Sequence, residues 1–457
     1  MRFPHRSYAL ALGALRGVSP LLARGSSKLA RGIRARRGAS ERFAAWSRGG
    51  RRADLPLAWF HAPSVGEGLQ ARAVLEALAA EFAVEEGSVR GGERSRREGA
   101  IQTAYTHFSP SAEGLARRMP VDVADYLPWD TAGEVRRTLD ALRPRLLAFT
   151  KTEVWPRLAR DAAARGTAVV LVAGTLPPNA GRLRPGARTL LSPVFGGLDR
   201  VLAISVDDAE RFGRLGVAPE CILVTGDPAI DSARQRALQA DPLSAPLAPF
   251  RGIGRPVLVA GSTWGPDEAV LLPAFARARR EVEGLLLVIA PHEPSAEHLA
   301  RLEGEIDGAG LRSARLATVE DEGDPGAADV VLVDRVGVLA HLYTIGHASY
   351  VGGGFHRHGL HSVLEPAAAG LPVAFGPRHA NARAAGDLLG GGGAREVADA
   401  EGLARVLVEW LAPGGTAEGV GAAALDYILE HEGAARRSAR ALADHLHEPD
   451  APPGAAP

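Results

Sequence analysis

An α/β fold with two doubly wound parallel sheets is what this 457-residue chain predicts. Three observations lead there. The length exceeds what one ordinary hydrophobic core accommodates, so two domains are expected. Short apolar runs alternate with helical stretches, first over residues 55–225 and again over 256–411, which is the β-α alternation of sheets covered on both faces. Gly-rich loops follow strands in both halves, at the strand ends where such sheets bind ligands.

Composition narrows the class further. Lys and Arg number 53 and so do Asp and Glu, so no overall field for nucleic acid is implied. The single Cys221 excludes a disulfide scaffold and a cysteine-rich metal site. We expect a basic segment at 1–52, a first Rossmann-like domain at 53–235 and a Pro-rich linker at 236–255. A second such domain is expected at 256–423, a C-terminal helix at 424–447 and a disordered tail at 448–457.

The first 40 residues hold many Arg and Lys but no Asp or Glu. Residues 8–22 are moderately apolar, yet Arg16, two glycines and Pro20 interrupt them, and a span needs about 20 apolar residues. A basic helix on an anionic membrane surface fits this pattern. A transit peptide and a disordered basic tail stay open.

Residues 55–61 (LPLAWFH) form the first expected strand. A loop with Ser64, Gly66 and Glu67 follows, then a helix over 69–81. Glu67 stands in the capping-box position behind Ser64, or else it faces a substrate from the strand's carboxyl end. Residues 85–99 read as a charged surface loop, 100–107 as a strand and 126–130 as a loop. Residues 131–142 are helical, and 145–149 form a strand ending in Lys151-Thr152-Glu153. Glu67 and Glu153 make a chemically sensible pair, one a general base and one positioning it. A salt-bridge role for Glu153 stays open. Strands at 167–173, 200–205 and 221–225 complete this half.

The second half begins with a strand at 256–260 and the loop Gly261-Ser262-Thr263-Trp264-Gly265, a phosphate cradle or a helix cap. A helix over 267–282 comes next. The strand at 285–290 ends in Pro291-His292-Glu293, and 330–333 is another strand. At 350–377 a strand runs into Gly352, Gly353 and Gly354, then His356, His358 and His361, then a helix from about Ser362 carrying Glu365. The glycines let a ligand approach the backbone, the helix start suits phosphate, and Glu365 can grip a ribose diol. A Gly-rich turn with a capping Glu is the rival reading. The three histidines match no zinc signature, so no metal is expected. One long final helix is expected over 421–446.

These motifs, in this order, resemble the 3-deoxy-D-manno-octulosonic acid (Kdo) transferase family of lipopolysaccharide synthesis. The resemblance rests on Trp59-Phe60-His61-Ala62 with Ser64-Val65-Gly66-Glu67, on Thr152-Glu153-Val154-Trp155-Pro156, and on Val224-Thr225-Gly226 with Asp231. Ala260-Gly261-Ser262-Thr263, Ala290-Pro291-His292 and the stretch from Tyr350 through Asn381 continue it. It implies a GT-B architecture, two Rossmann-like domains facing a cleft. It implies inverting transfer of Kdo from CMP-Kdo to a lipid A precursor, with Glu67 as general base and Glu153 a second active-site carboxylate.

Ser262, Thr263, Pro291, His292, Gly353, Gly354, His361, Glu365 and Asn381 would then bind the donor, and His61, Ser64 and Gly66 would lie on the acceptor side. No cofactor or metal is implied beyond CMP-Kdo as substrate. The site of action would be the cytoplasmic face of the cell inner membrane, with the basic N-terminus touching that surface. The chain departs from the family at His292, at Leu360 and Ser362, at Val338, and at Ala229, where a basic residue is usual. Arg357 and Arg378 are candidate substitutes for the lost charge. A UDP-sugar transferase or epimerase of the same fold, and a non-catalytic nucleotide- or lipid-binding protein, are the alternatives.

Overall fold

A computed structural model describes residues 5–25, 27–85 and 101–447. The surface loop expected at 85–99 lies outside them from residue 86 on, as do the first residue of the strand expected at 100–107 and the tail from Glu448. The chain forms two compact units, residues 1–232 with 433–457, and residues 233–432.

The first unit is built on a seven-stranded parallel sheet: β1 (Leu57–His61), β2 (Gln102–His107), β3 (Val123–Tyr126), β4 (Leu146–Thr150), β5 (Ala168–Gly174), β6 (Arg200–Ala203) and β7 (Ile222–Val224). Their order is β3-β2-β1-β4-β5-β6-β7, so the winding reverses between β1 and β4. β1 and β4 are buried along their whole length. Side chains alternate between faces. Leu57, Trp59, Leu147 and Phe149 join one apolar cluster, while Ala58, Phe60, Leu146 and Ala148 join the other. Trp59 sits fully buried, and its indole N–H donates to Thr106 Oγ1 at 2.9 Å.

The basic N-terminal segment is part of this unit. Phe43, from the helix Ala39–Gly50, is fully buried in the Trp59 cluster. Tyr8 donates to Asp130 at 2.8 Å, and Arg16 pairs with Glu134 at 2.7 Å. The helix His5–Leu22 forms over the stretch expected to be helical, although it leaves Leu10 and Val18 exposed. Among the described residues no helix is long and apolar enough to cross a membrane.

The opposite face is closed from the far end of the chain. The helix Ala434–His447 packs on the helix Val65–Glu85, with Ala435, Ala439, Leu442 and Leu446 in the same cluster as Val74, Leu78 and Phe82. The single long helix expected over 421–446 is two helices, Ala417–His431 and Ala434–His447. Gly433, at φ +89°, breaks it, a conformation open to glycine at little cost. Asp231 caps the second piece, accepting from Gly433 N at 2.7 Å and Ala435 N at 3.2 Å. Burial pushes its carboxyl up, against the pull of those amides.

The second unit repeats the plan with β8 (Val257–Thr263), β9 (Leu286–Pro291), β10 (Ser313–Arg315), β11 (Val330–Leu332), β12 (Ala348–Val351), β13 (Val373–Phe375) and β14 (Ala394–Glu396). The order β10-β11-β9-β8-β12-β13-β14 reverses between β8 and β12. The stretch 236–255, expected as a Pro-rich linker, packs into this unit. Leu247 and Phe250 are buried beside Val257, Val259 and Val288.

Candidate active site

In open parallel sheets ligands bind beyond the strand ends where the winding reverses. In the first unit that point lies between β1 and β4, and the residues following those strands are the expected ones. His61 ends β1 and is fully buried. Its Nδ1 lies 3.1 Å from both the carbonyl and the hydroxyl of Thr106. Its Nε2 has no hydrogen-bond partner among the described residues and sits 3.9 Å from Glu153 Oε1. Glu153 follows β4 and is about one-third exposed, with side-chain exposure of 36%.

Of the two readings of Glu67, a loop carboxylate or a helix-capping one behind Ser64, the structure has it in the helix. The helix begins at Val65, four residues earlier than expected, and places Glu67 in its first turn. The two glycines flanking Glu67 masked this start, because glycine disfavours helix. Gly68 has a packing reason to be there. A Cβ at that position would lie 2.7 Å from the Tyr105 hydroxyl and 2.6 Å from Leu115. Gly66 has no such neighbour within 4 Å. The Ser64 hydroxyl donates to Glu67 Oε2, and Lys151 Nζ stands 3.4 Å from Glu67 Oε1. Burial and the charge of Glu67 push the Tyr105 phenol up, so it stays protonated at neutral pH.

Lys151 carries no signal in the sequence that marks it out. It adopts φ +61°, a left-handed backbone rare for a residue with a side chain. Its ammonium is the cation beside Glu67. Arg36 is equally silent in the sequence. It enters from the N-terminal segment and donates to the carbonyls of Leu127 at 2.8 Å and Pro128 at 3.1 Å. Its guanidinium lies 4.5 Å from the Phe108 ring, 4.6 Å from Trp129 and 5.5 Å from Trp155. Burial pushes it down to about 10, while Glu134, Glu153 and Asp130 pull the other way.

In the second unit the reversal lies between β8 and β12. Ser262 takes φ +55°, where the pairing of β8 with β9 slips by a residue. Thr263 is fully buried and donates to Glu268 at 3.0 Å, so its hydroxyl serves the fold. Glu268 is itself buried and held by His298 at 2.9 Å and Arg301 at 2.6 Å. Pro291 is buried at the end of β9, and His292 N donates to the Thr263 carbonyl at 2.9 Å.

The three glycines expected to open the backbone to a ligand are buried, and they serve close packing of neighbouring loops. A Cβ on Gly352 would collide with the Ser262 carbonyl oxygen, and one on Gly354 would collide with the Gly376 backbone nitrogen. Gly353 takes φ +97° and donates its N–H to Asp267 at 2.8 Å. Asp267, fully buried and absent from the expected set, also accepts from Trp264 N at 3.0 Å, Phe355 N at 3.2 Å and the Tyr350 hydroxyl at 3.2 Å. It ties the loop after β8 to the loop after β12. Asn381 is likewise a clamp, accepting from Leu360 N at 2.9 Å and donating to Leu360 O at 2.8 Å. Arg378 and Arg357 are exposed, and Arg378 N donates to the Gly354 carbonyl at 2.9 Å.

The side chains that do gather here are aromatic. The Trp264 ring stacks on His292 at 4.6 Å and on His356 at 4.5 Å, and His292 stacks on His361 at 4.4 Å. His358 instead meets His356 edge-on at 4.7 Å. Among the described residues no cluster of His, Cys, Asp or Glu is disposed to hold a metal ion. Glu365 lies in a five-residue helix, Leu364–Ala368, shorter than the sequence suggested. Its Oε1 accepts from Arg236 at 2.7 Å. A buried Tyr343 phenol, pushed up by burial and by the Glu365 charge, lies close by.

The two doubly wound seven-stranded sheets make a GT-B architecture. The family model described as 3-deoxy-D-manno-octulosonic-acid transferase (kdotransferase) matches residues 37–232, which hold His61, Ser64, Glu67, Lys151 and Glu153. A 3-deoxy-D-manno-octulosonic acid transferase of Bordetella pertussis is 30% identical over 453 residues, covering 95% of this chain and 98% of its own. One from Chlamydophila psittaci is 30% identical over 333 residues, 70% of each chain. The solved UDP-GlcNAc 2-epimerase of Neisseria meningitidis, bound to UDP-GlcNAc, superposes with a TM-score of 0.56 at 11% identity. It covers 85% of this chain and 98% of its own, and at that identity the likeness is one of fold.

Proposed function

The chain belongs to the 3-deoxy-D-manno-octulosonic acid transferase family, and on that premise we propose that it transfers Kdo from CMP-Kdo to a lipid A precursor with inversion. It is a glycosyltransferase. The observation that carries the finer reading is Glu67, set in the first turn after β1 with its two oxygens engaged by Ser64 and Lys151. In this reading Glu67 takes the proton of the acceptor hydroxyl. The acceptor oxygen then forms its bond to the anomeric carbon of Kdo as the bond from that carbon to the phosphate oxygen breaks. CMP leaves with the electron pair. Lys151 and Ser64 orient the base, and Glu153 shapes the neighbouring surface above the buried His61.

The donor half of the reading rests on the second unit. Glu365 contacts the ribose, and Ser262, His292 and His361 line the nucleotide's approach. A general base contributes roughly 10²- to 10⁴-fold in rate. The test is incubation with CMP-Kdo and a lipid A precursor, following glycolipid and CMP together. Glu67→Gln should lose about 10²-fold or more in kcat while CMP affinity stays the same. CMP release without glycolipid, or full turnover in Glu67→Gln, would overturn the assignment. Calorimetry showing preference for UDP over CMP would redirect the donor.

We place the reaction at the cytoplasmic face of the inner membrane. Leu10, Val18 and Leu29 are exposed at 76%, 47% and 62%, in a segment rich in exposed arginines such as Arg24, Arg31 and Arg37. Apolar side chains beside cations suit an anionic bilayer surface. Co-sedimentation with anionic vesicles, lost in about 0.5 M salt by about tenfold or more, is the expected result; equal binding to neutral vesicles would oppose it.

A further inference from the structure

The helix Pro228–Leu238 crosses from one unit into the other, since the division falls between Ser232 and Ala233. Its last turns bring two arginines onto the short helix Leu364–Ala368. Arg234 donates to the Ala368 carbonyl at 3.3 Å, and Arg236 donates to Glu365 Oε1 at 2.7 Å. Both partners of the second contact are largely buried, with side-chain exposures of 24% for Arg236 and 20% for Glu365. Burial, with the charge of the same guanidinium second, pushes the His341 imidazole down. No protein hydrogen bond is made to Glu365 Oε2 among the described residues.

This geometry divides the carboxylate's work. A glutamate side chain has three rotatable bonds, and freezing them on binding opposes affinity. A guanidinium fixed on one oxygen removes much of that freedom beforehand and leaves the other oxygen directed to a ligand.

We propose that Arg236 is a positioning residue for the nucleotide: it holds Glu365 so that Oε2 accepts from the ribose hydroxyls of the donor. The proposal rests on the reading of Glu365 as the ribose contact, and deepens it. Ribose selectivity then belongs to the pair of residues, not to Glu365 alone.

The test is calorimetry of the full chain with CMP and with 2′-deoxy-CMP. It compares the unaltered protein with Glu365→Gln, Arg236→Met and Arg236→Lys. The unaltered protein should prefer CMP by about tenfold, the value of one hydrogen bond to a charged group. Glu365→Gln and Arg236→Met should both bring the preference close to one, and Arg236→Lys should restore part of it. A ratio of affinities does not change with the fraction of protein that is folded, so a merely structural role would leave it unmoved. If Arg236→Met keeps the preference while Glu365→Gln loses it, the positioning role is overturned and the ribose reading stands. If Glu365→Gln keeps the preference, or the unaltered protein has none, the ribose reading falls and the proposal falls with it.

Discussion

Trp264 donates its indole N–H to Nε2 of His361 over 2.9 Å, which leaves the imidazole's own proton on Nδ1. Burial, with His292, His356 and His358 around it, pushes His361 down to about 4 from 6.5. Between those values the unfolded chain binds more protons than the folded one. Folding stability is therefore intact above pH 6.5 and falls as pH drops toward 4. Allowing for solvent screening of a part-exposed group, the loss is roughly 1–2 kcal/mol. Urea titrations at pH 7 and pH 4.5 should show this slope, and His361→Gln should flatten it. The same slope in both proteins would exclude His361 as its source.

Asp267 accepts three hydrogen bonds from the two loops that flank the β8–β12 reversal and a fourth from the Tyr350 hydroxyl of β12. Asp267→Asn puts an NH₂ against donors and leaves buried groups unsatisfied, at about 2–4 kcal/mol. The unfolding midpoint in urea should fall accordingly, and CMP affinity should weaken with it. An unchanged midpoint would mean that the loops hold together by packing alone.

Gly354 and Gly66 make a contrasting pair. Gly354→Ala drives a methyl into the Gly376 backbone nitrogen, which cannot yield, and should cost about 1–3 kcal/mol. Gly66→Ala meets nothing within 4 Å and lies inside a helix, where alanine should add up to about 1 kcal/mol. Thermal melts of the two variants would separate them. Should Gly66→Ala lose turnover while gaining stability, the substrate passes over that position.

Arg36 is anchored by two carbonyls and an aromatic box, so Arg36→Met should cost about 2–4 kcal/mol. Arg31→Ala and Arg37→Ala, both at exposed positions nearby, should stay within about 0.5 kcal/mol. Equilibrium denaturation would show whether the basic segment has one structural arginine among several that face solvent.

The central strands were legible because each is a continuous apolar run, as in 146–150 and 286–291, and burial on both faces demands such runs. The missed strands are β3, β10 and β14, all at sheet edges. Their sequences, VADY, SAR and ARE, are short, and the last two mostly polar, because an edge has one neighbour and partial exposure. Glu67, Glu153 and Glu365 could be singled out because each follows a strand within a few residues or opens the helix beyond its loop. Lys151, Asp267, Arg36 and Arg236 could not be assigned roles, since each acts through a partner distant in sequence: Arg236 lies 129 residues from Glu365. The glycines were legible as necessary, but for another reason. Loop backbones pressing on each other need them as much as a phosphate does.

The helix Ala434–His447 closes one face of a unit whose first strand begins at Leu57. Biosynthesis proceeds from the other end. The second unit is continuous and can complete its fold as soon as residue 432 has left the ribosome, while the first must wait for the last helix to emerge. Until then the apolar side chains Val74, Leu78 and Phe82 lack their cover. The nascent chain therefore keeps apolar surface uncovered longest in the half that carries Glu67.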